Sequence, residues 1–391
     1  MPIRVLFACV PAAGHVTPLL PLARELAAQG AEVVVASGPD VAASVAGADL
    51  GFRRIAPGLG EWFARLAERS PGPPGAGLPP AHIERYFVPR LFGEVGLAAM
   101  REELDALTGE FRPDLVVFEP YALAAPLVAR IHGVPAVQHM IGLSWEPLTN
   151  ELVRDAVTPA WSAAGLRVPS SAGLHEGTTL TVCPPSLDPG PPGTAVQPLS
   201  TTARPARALP LPEPLHGLDG PLVYVTLGTS FNEPAVFATV LQGLADLPVT
   251  VLVTIGRDRS ASDLGDVPGN AVVTRFLAQE TVLPHCAAVV HHGGAGTALG
   301  VLAHGVPSVV LPRGADNFAF AARMASAGAA RVIGPEELGP ATVRAAVRAV
   351  LDDPALRAGA ERIAAEIAAM PRPEDLAPLL LESLPLRKEV P

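Results

Sequence analysis

Ala288-Val289-Val290-His291-His292-Gly293-Gly294-Ala295-Gly296-Thr297-Ala298-Leu299-Gly300 reads as a buried apolar strand, a pair of histidines, a glycine-rich turn and the start of a helix. Each part has a physical purpose. Glycine carries no Cβ, so a ligand can approach its backbone closely. A helix starting near 294–296 presents unpaired N–H groups and a partial positive charge, which together suit phosphate oxygens. Thr297 adds a hydroxyl, and His292 reaches the same oxygens from the strand end. The stretch reads as a diphosphate cradle. The competing reading is a strand–helix turn that only packs tightly, with His292 as a core side chain. A dinucleotide fingerprint, G-x-G-x-x-G, is half met by Gly294 and Gly296, but Leu299 stands where its third glycine belongs.

The surrounding chain supplies the setting. Its 391 residues are enough for two ordinary domains, and 49% hydrophobic against 17% charged residues describes a globular protein. The formal net charge is −10 and there is no dense basic run, which argues against nucleic acid as a partner. Cys9, Cys183 and Cys286 lie far apart and form neither a disulfide framework nor a metal cluster, so a reducing cytoplasm is the expected compartment. No apolar run is long enough to span a membrane, and Ile3 to Val10 suits a buried first strand better than a signal peptide.

Taken in order, the chain alternates strands and helices. Strands are expected at 3–9, 32–36, 52–55, 115–118 and 135–139. Helices are expected at 16–29, 41–45, 82–107, 121–131 and 150–165. Residues 56–80 read as loop. A second series begins after a Pro-, Gly- and Thr-rich stretch. It has strands at 222–227, 249–254, 271–274, 288–291, 308–311 and 330–333. Helices follow at 236–245, 340–351, 354–370 and 374–383. This α/β spacing implies two doubly wound, Rossmann-like parallel-sheet domains facing a cleft. We place the N-terminal domain at 1–205, a linker at 206–220 and the C-terminal domain at 221–372. A last helix, 373–391, is free to pack back on the first domain. His15, Glu119, Gly228 and His292 all fall at carboxyl ends of strands, where such sheets bind ligands.

These residues carry a resemblance. Gly14-His15-Val16 with Pro18, Gly228-Thr229-Ser230, the segment 276–284, the 291–297 run and Gly314-Ala315-Asp316-Asn317 occur in order. The chain resembles the family 1 nucleotide-sugar glycosyltransferases of GT-B fold, and more narrowly the actinobacterial enzymes that glycosylate polyketides and other natural products. The resemblance spans essentially the whole chain. It implies an inverting, metal-independent transfer from a nucleoside-diphosphate sugar, which is a co-substrate, with no cofactor. The sequence has no D-x-D pair for a divalent cation.

The resemblance makes His15 the base that takes the acceptor's proton, and the residue after the strand 115–118, Glu119, its partner. The family usually has aspartate at the latter position. Asp114 is the fallback, at the wrong end of the strand. The donor-binding set it implies is Gly228, Thr229, Ser230, Phe276, Leu277, Gln279, His292, Gly294, Gly296, Thr297, Asp316 and Asn317. Phe276 to Gln279 match the segment that holds the base, and Asp316 and Asn317 the pair that contacts sugar hydroxyls.

Uridine-nucleotide members carry a ribose-binding glutamate eight residues after the phosphate-binding histidine. Here that position is Gly300, which favours a thymidine-diphosphate sugar lacking the 2′-hydroxyl. Aromatic residues gather in the first half. Trp62, Tyr86, Phe87, Trp145 and Trp161 are expected to line an apolar acceptor pocket, with Phe92 beside them. Other readings are a uridine-diphosphate-sugar-dependent transferase, a nucleotide-sugar 2-epimerase of the same fold and a nicotinamide-dependent oxidoreductase. The sequence leaves open the aglycone, the sugar, the linkage atom, an activator protein and the oligomeric state, a homodimer included.

Overall fold

The apolar runs form parallel strands in two sheets. The computed structural model describes residues 2–384 except 71, 76, 192–193, 203–214, 216–219, 229–231 and 258. Thr229, Ser230 and nearly all of the expected linker 206–220 therefore lie outside the described residues. The chain divides into two compact units. One comprises Met1–Cys183, Gly190–Thr201 and Met370–Pro391, and the other Pro184–Pro189 and Thr202–Ala369.

In the first unit β1 (Arg4–Ala8), β2 (Glu32–Ser37), β3 (Gly51–Arg54), β4 (Leu115–Phe118), β5 (Ala136–His139), β6 (Thr179–Thr181) and β7 (Val196–Pro198) form one sheet. Its order is β3-β2-β1-β4-β5-β6-β7, with every described pairing parallel. The period-2 alternation of β1 sends Leu6 and Ala8 to one face and Val5 and Phe7 to the other. The Leu6 face is covered by α4 (Leu59–Glu68), α5 (Pro80–Phe87), a π-helical segment Val88–Gly96, α6 (Leu97–Phe111), α7 (Ala124–His132) and α8 (Pro147–Ala163). The Val5 face is covered by α1 (Ala13–Val16), α2 (Leu20–Ala28), α3 (Ala42–Ala46) and the C-terminal α15 (Pro373–Glu382), whose Leu376, Ala377 and Leu380 join that core.

Three local expectations are corrected. The single helix expected over 16–29 is two pieces, α1 and α2, because Pro18 lacks an N–H and Pro21 occupies the first turn of α2. The stretch 56–80 is not all loop. Leu59, Trp62 and Leu66 recur at helical spacing, and α4 buries Trp62 and Leu66. Strands β6 and β7 were not anticipated, since three residues are too short to show a period.

In the second unit β8 (Leu222–Thr226), β9 (Thr250–Thr254), β10 (Ala271–Thr274), β11 (Cys286–His291), β12 (Ser308–Val310) and β13 (Ala330–Val332) pair in the order β10-β9-β8-β11-β12-β13. Its helices are α9 (Pro234–Leu244), α10 (Gln279–Val282), α11 (Ala295–Ala303), α12 (Asn317–Ser326), α13 (Pro340–Asp352) and α14 (Pro354–Ala369). Val223, Val225, Val251, Val253 and Val290 pack towards α9 and α13, while Tyr224, Leu252 and Val289 share a core with Val282, Leu283 and Val301. The strand order of each sheet reverses direction once, between β1 and β4 in the first and between β8 and β11 in the second. Ligands of open α/β sheets bind at such switch points.

Candidate active site

In the first unit, His15 follows β1 and Glu119 follows β4, so the two flank the switch point. The pairing of Ala8 with Phe118 sets both just past the strand ends. Glu119 is fully buried. Its Oε1 accepts the Val10 N–H at 2.9 Å and its Oε2 accepts the Tyr121 N–H at 2.8 Å. His15 Nδ1 lies 3.3 Å from Oε1, at ion-pair distance but without hydrogen-bond alignment, and the histidine side chain stays 18% exposed.

The groups beside Glu119 are held neutral. Burial, aided by the carboxylate, pushes the Cys9 thiol up to about 12. Burial holds His139 down at about 4, although its Nδ1 bonds the Met140 carbonyl. His139 stands level with Glu119, because Phe118 pairs with Gln138 one residue earlier. His15 lies beside the same carboxyl group and keeps an exposed edge. Asp114 caps the opposite end of β4, where it accepts the Arg4 N–H at 2.9 Å, so it takes no part here.

Aromatic rings surround His15. Tyr121 meets it edge-on at 5.0 Å and Phe92 lies 5.9 Å away, while Phe92 and Tyr121 contact each other at 4.8 Å. Trp145 continues the chain from Tyr121 at 5.0 Å. Phe92 sits in the π-helical segment, a helix form often found at functional sites.

The expected acceptor set is therefore revised. Trp62 and Trp161 are core side chains, and the Trp62 ring meets Phe92 edge-on from within the core at 6.5 Å. Trp62 is 0% exposed, with its ring against Gly96, and Trp161 is 3% exposed, packed on Gly173. Both are carried on the apolar faces of helices, which must be buried. Tyr86 and Phe87 form a second ring group with Phe63. Trp145 and Phe92 do reach the ring cluster of His15. Tyr121 was overlooked, although its place two residues past Glu119 was a usable signal.

In the second unit, Gly228 follows β8 and His292 follows β11, again flanking the switch point. The His292 ring lies between two backbones. A Cβ on Gly228 would stand 2.6 Å from its Cε1, and one on Gly294 would stand 2.4 Å from its Nε2. Gly228 also has φ +70°, which L side chains rarely adopt. Burial lowers His292 to about 4, and burial with the neighbouring His292 lowers His291 to about 3. Both are neutral at pH 7, so His292 can offer a neutral N–H. His291 is structural: its Nδ1 accepts the Gly293 N–H at 3.1 Å.

Gly294 is the N-cap of α11 and no side chain caps that end, so the first N–H groups of the helix remain for an anion. Gly296 faces open space. Thr297 accepts from Gln279 Nε2 at 3.2 Å. Leu277 packs on the core, whereas Phe276 is half-exposed with the Arg257 guanidinium 3.8 Å over its ring. Arg257 too escaped the sequence reading. Asn317, expected to touch sugar, is corrected. It is buried, its Oδ1 accepts the Gly314 N–H and its Nδ2 bonds Asp316, so it holds the turn while Asp316 stays partly exposed. Among the described residues no cluster of three or more metal-ligating side chains occurs, and no helix is long and apolar enough to cross a membrane.

Comparison with known proteins gives consistent results. Residues 87–211 and 238–383 match the N- and C-terminal domains of the family described as erythromycin biosynthesis protein CIII-like. The chain is 32% identical over 96% of its length to the elloramycin glycosyltransferase ElmGT of Streptomyces olivaceus, of which it covers 96%. It is 31% identical to an L-demethylnoviosyl transferase of Streptomyces niveus, again over 96% of both chains. Among solved structures it resembles the glycosyltransferase SsfS6 of Streptomyces sp. SF2575 complexed with thymidine diphosphate. There the identity is 28%, the TM-score 0.77, and the coverage 97% of this chain and 100% of the other.

Proposed function

The chain belongs to the EryCIII-like natural-product glycosyltransferases of GT-B fold, and from that premise we propose an inverting transfer of a sugar from thymidine diphosphate to an apolar aglycone. In this reading the first unit binds the acceptor and the second the donor. The acceptor's nucleophilic atom attacks the anomeric carbon from the face opposite the leaving group. The new bond to the acceptor forms as the bond to the diphosphate oxygen breaks. The proton passes to His15, and the electron pair leaves with the nucleoside diphosphate. Since Nδ1 faces Glu119, Nε2 is the basic atom, and the carboxylate stabilises the imidazolium as it forms.

The leaving diphosphate carries its charge into the N–H groups of α11 and onto His292. These donors do the work a divalent cation would otherwise do, so the reaction as proposed needs neither metal nor cofactor. Asp316 would contact sugar hydroxyls. Phe276 and Leu277 would bound the base. Thr229 and Ser230 would add donors from the Gly228 turn. Phe92, Tyr121 and Trp145 would hold the aglycone beside His15. The thymidine preference rests on Gly300 and is in keeping with the thymidine diphosphate bound by SsfS6. Cytoplasmic location and a homodimer belong to the same proposal.

The observation that carries it is the His292 ring held between Gly228 and Gly294 at an uncapped helix start. A calorimetric panel of thymidine diphosphate, uridine diphosphate and thymidine tests it. Tight binding of the diphosphates and weak binding of thymidine is expected. Indifference to the diphosphate would defeat the proposal.

A further inference from the structure

Arg313 follows β12 and reaches Glu233, the N-cap residue of α9, with its Nη2 3.1 Å from Oε2. In the sheet β8 and β12 flank β11, and α9 follows β8. The ion pair therefore spans the carboxyl end of β11, the strand end that carries His292. The Leu311 N–H ties the two strand ends together by donating to the His291 carbonyl at 2.7 Å. The turn that presents Arg313 is preset. Asn317 Oδ1 accepts the Gly314 N–H, and Ala315 holds φ +50°, a conformation that is costly for a residue with a Cβ.

An arginine offers five N–H donors in a fixed fork. Among the described residues, Glu233 is the partner that Arg313 has. The Arg313 side chain is 18% exposed, whereas that of Glu233 is 58% exposed, so water screens the carboxylate and the pair is weak. The Arg313 Nε is buried and bonded to nothing. A guanidinium largely withdrawn from water, with most of its donors unused, fits an anion that is not part of the chain.

The cradle lacks such a charge elsewhere. His292 is neutral at pH 7, and the start of α11 offers a partial positive charge. Arg257 and Arg259 follow β9 and Arg275 follows β10, on the far side of β8 from β11. Arg313 follows the strand that pairs with β11 itself.

We propose that Arg313 is a diphosphate-binding residue, the cation that takes up charge as the nucleoside diphosphate leaves, and that Glu233 is its partner until the nucleotide binds. This rests on the reading that the second unit binds a nucleoside diphosphate. Glu233 and the diphosphate then compete for one guanidinium, so removing either end of the ion pair acts on binding in opposite directions.

The test measures thymidine diphosphate and thymidine by calorimetry on the full chain. Arg313→Gln should weaken thymidine diphosphate roughly tenfold, the equivalent of one charge-assisted hydrogen bond, and should flatten the dependence of its affinity on salt. Glu233→Gln should strengthen it by about two- to fivefold, the worth of a screened ion pair given up. Thymidine should bind alike in all three proteins. A pair that merely ties the turn to α9 would be broken equally by both substitutions, so shifts in the same direction would overturn the assignment. Wild-type affinity for thymidine diphosphate in Arg313→Gln would do the same. If Arg313→Gln does not fold, Glu233→Gln decides alone, and unchanged or weaker thymidine diphosphate binding would count against the assignment. A wild type that binds no nucleoside diphosphate would instead refute the donor reading, and this assignment with it.

Discussion

The imidazole of His292 occupies the space that a side chain on Gly294 would need. A Cβ built on Gly294 would lie 2.4 Å from Nε2, closer than real Cβ contacts allow. The glycines of the turn therefore seat the histidine, and the histidine in turn needs both Gly228 and Gly294 to stay bare.

It follows that Gly294→Ala should damage the cradle without removing any donor. We expect it to weaken thymidine diphosphate nearly as much as His292→Ala, by about 1.5–3 kcal/mol, as for a lost hydrogen bond to a charged group. Binding of thymidine should change little in either variant. Calorimetry with the two ligands decides the matter, and equal losses for both would remove His292 from diphosphate binding.

His15→Ala should lower kcat by about 10²–10⁴, the usual worth of a positioned base, with thymidine diphosphate affinity near wild type. Glu119→Gln should lower kcat too. It also sets an amide against the N–H groups of Val10 and Tyr121 in a buried place, so about 1–3 kcal/mol of stability should go with it. Single-turnover rates and urea unfolding measure the two effects. Normal turnover without the histidine would exclude it as the base.

Gly300→Glu should be tolerated, because a Cβ there meets only Leu283 at 3.6 Å and Gln279 at 3.7 Å. The wild type should prefer thymidine over uridine diphosphate, and the variant should narrow or reverse that preference. Competition between the two nucleotides gives the ratio directly. No response to the substitution would make Gly300 a packing residue only.

Stability should fall with acid in a defined window. His139, His291 and His292 titrate near 4, 3 and 4 in the folded chain, below the ordinary histidine value of 6.5. Above pH 6.5 they are neutral in both states and stability is unaffected. Between pH 6.5 and about 4 the unfolded chain takes up protons that the folded chain refuses, so stability drops, by up to about 1.4 kcal/mol per pH unit for each histidine. Urea midpoints at pH 7.5, 6 and 5 test this, and a flat profile would contradict it.

The ring cluster and the core tryptophans should separate kinetically. Phe92→Ala should raise the acceptor KM, since its ring lies 5.9 Å from His15. Trp161→Ala should leave KM alone and cost about 3–5 kcal/mol of stability, as large aromatic truncations in cores do. Steady-state assays and melting curves on the two variants distinguish the roles.

By itself the sequence determined the alternation of strands and helices, the parallel sheets and the candidate residues at strand ends. These follow from short-range periodicity and from turn chemistry, which act between near neighbours in the chain. Contacts between distant residues were legible only where motif order supplied them. That Glu119 takes one of its two N–H bonds from Val10, 109 residues earlier, depends on the β1–β4 register. That Gly228 must be bare depends on His292 arriving beside it, through the β8–β11 pairing. The sequence also could not separate Trp62 and Trp161 from the rings around His15, because a large aromatic side chain suits a core and a pocket equally well. Burial decided it: once helix α4 forms, the face carrying Trp62 must leave water, whereas Phe92 is turned towards His15 by a segment of π-helix.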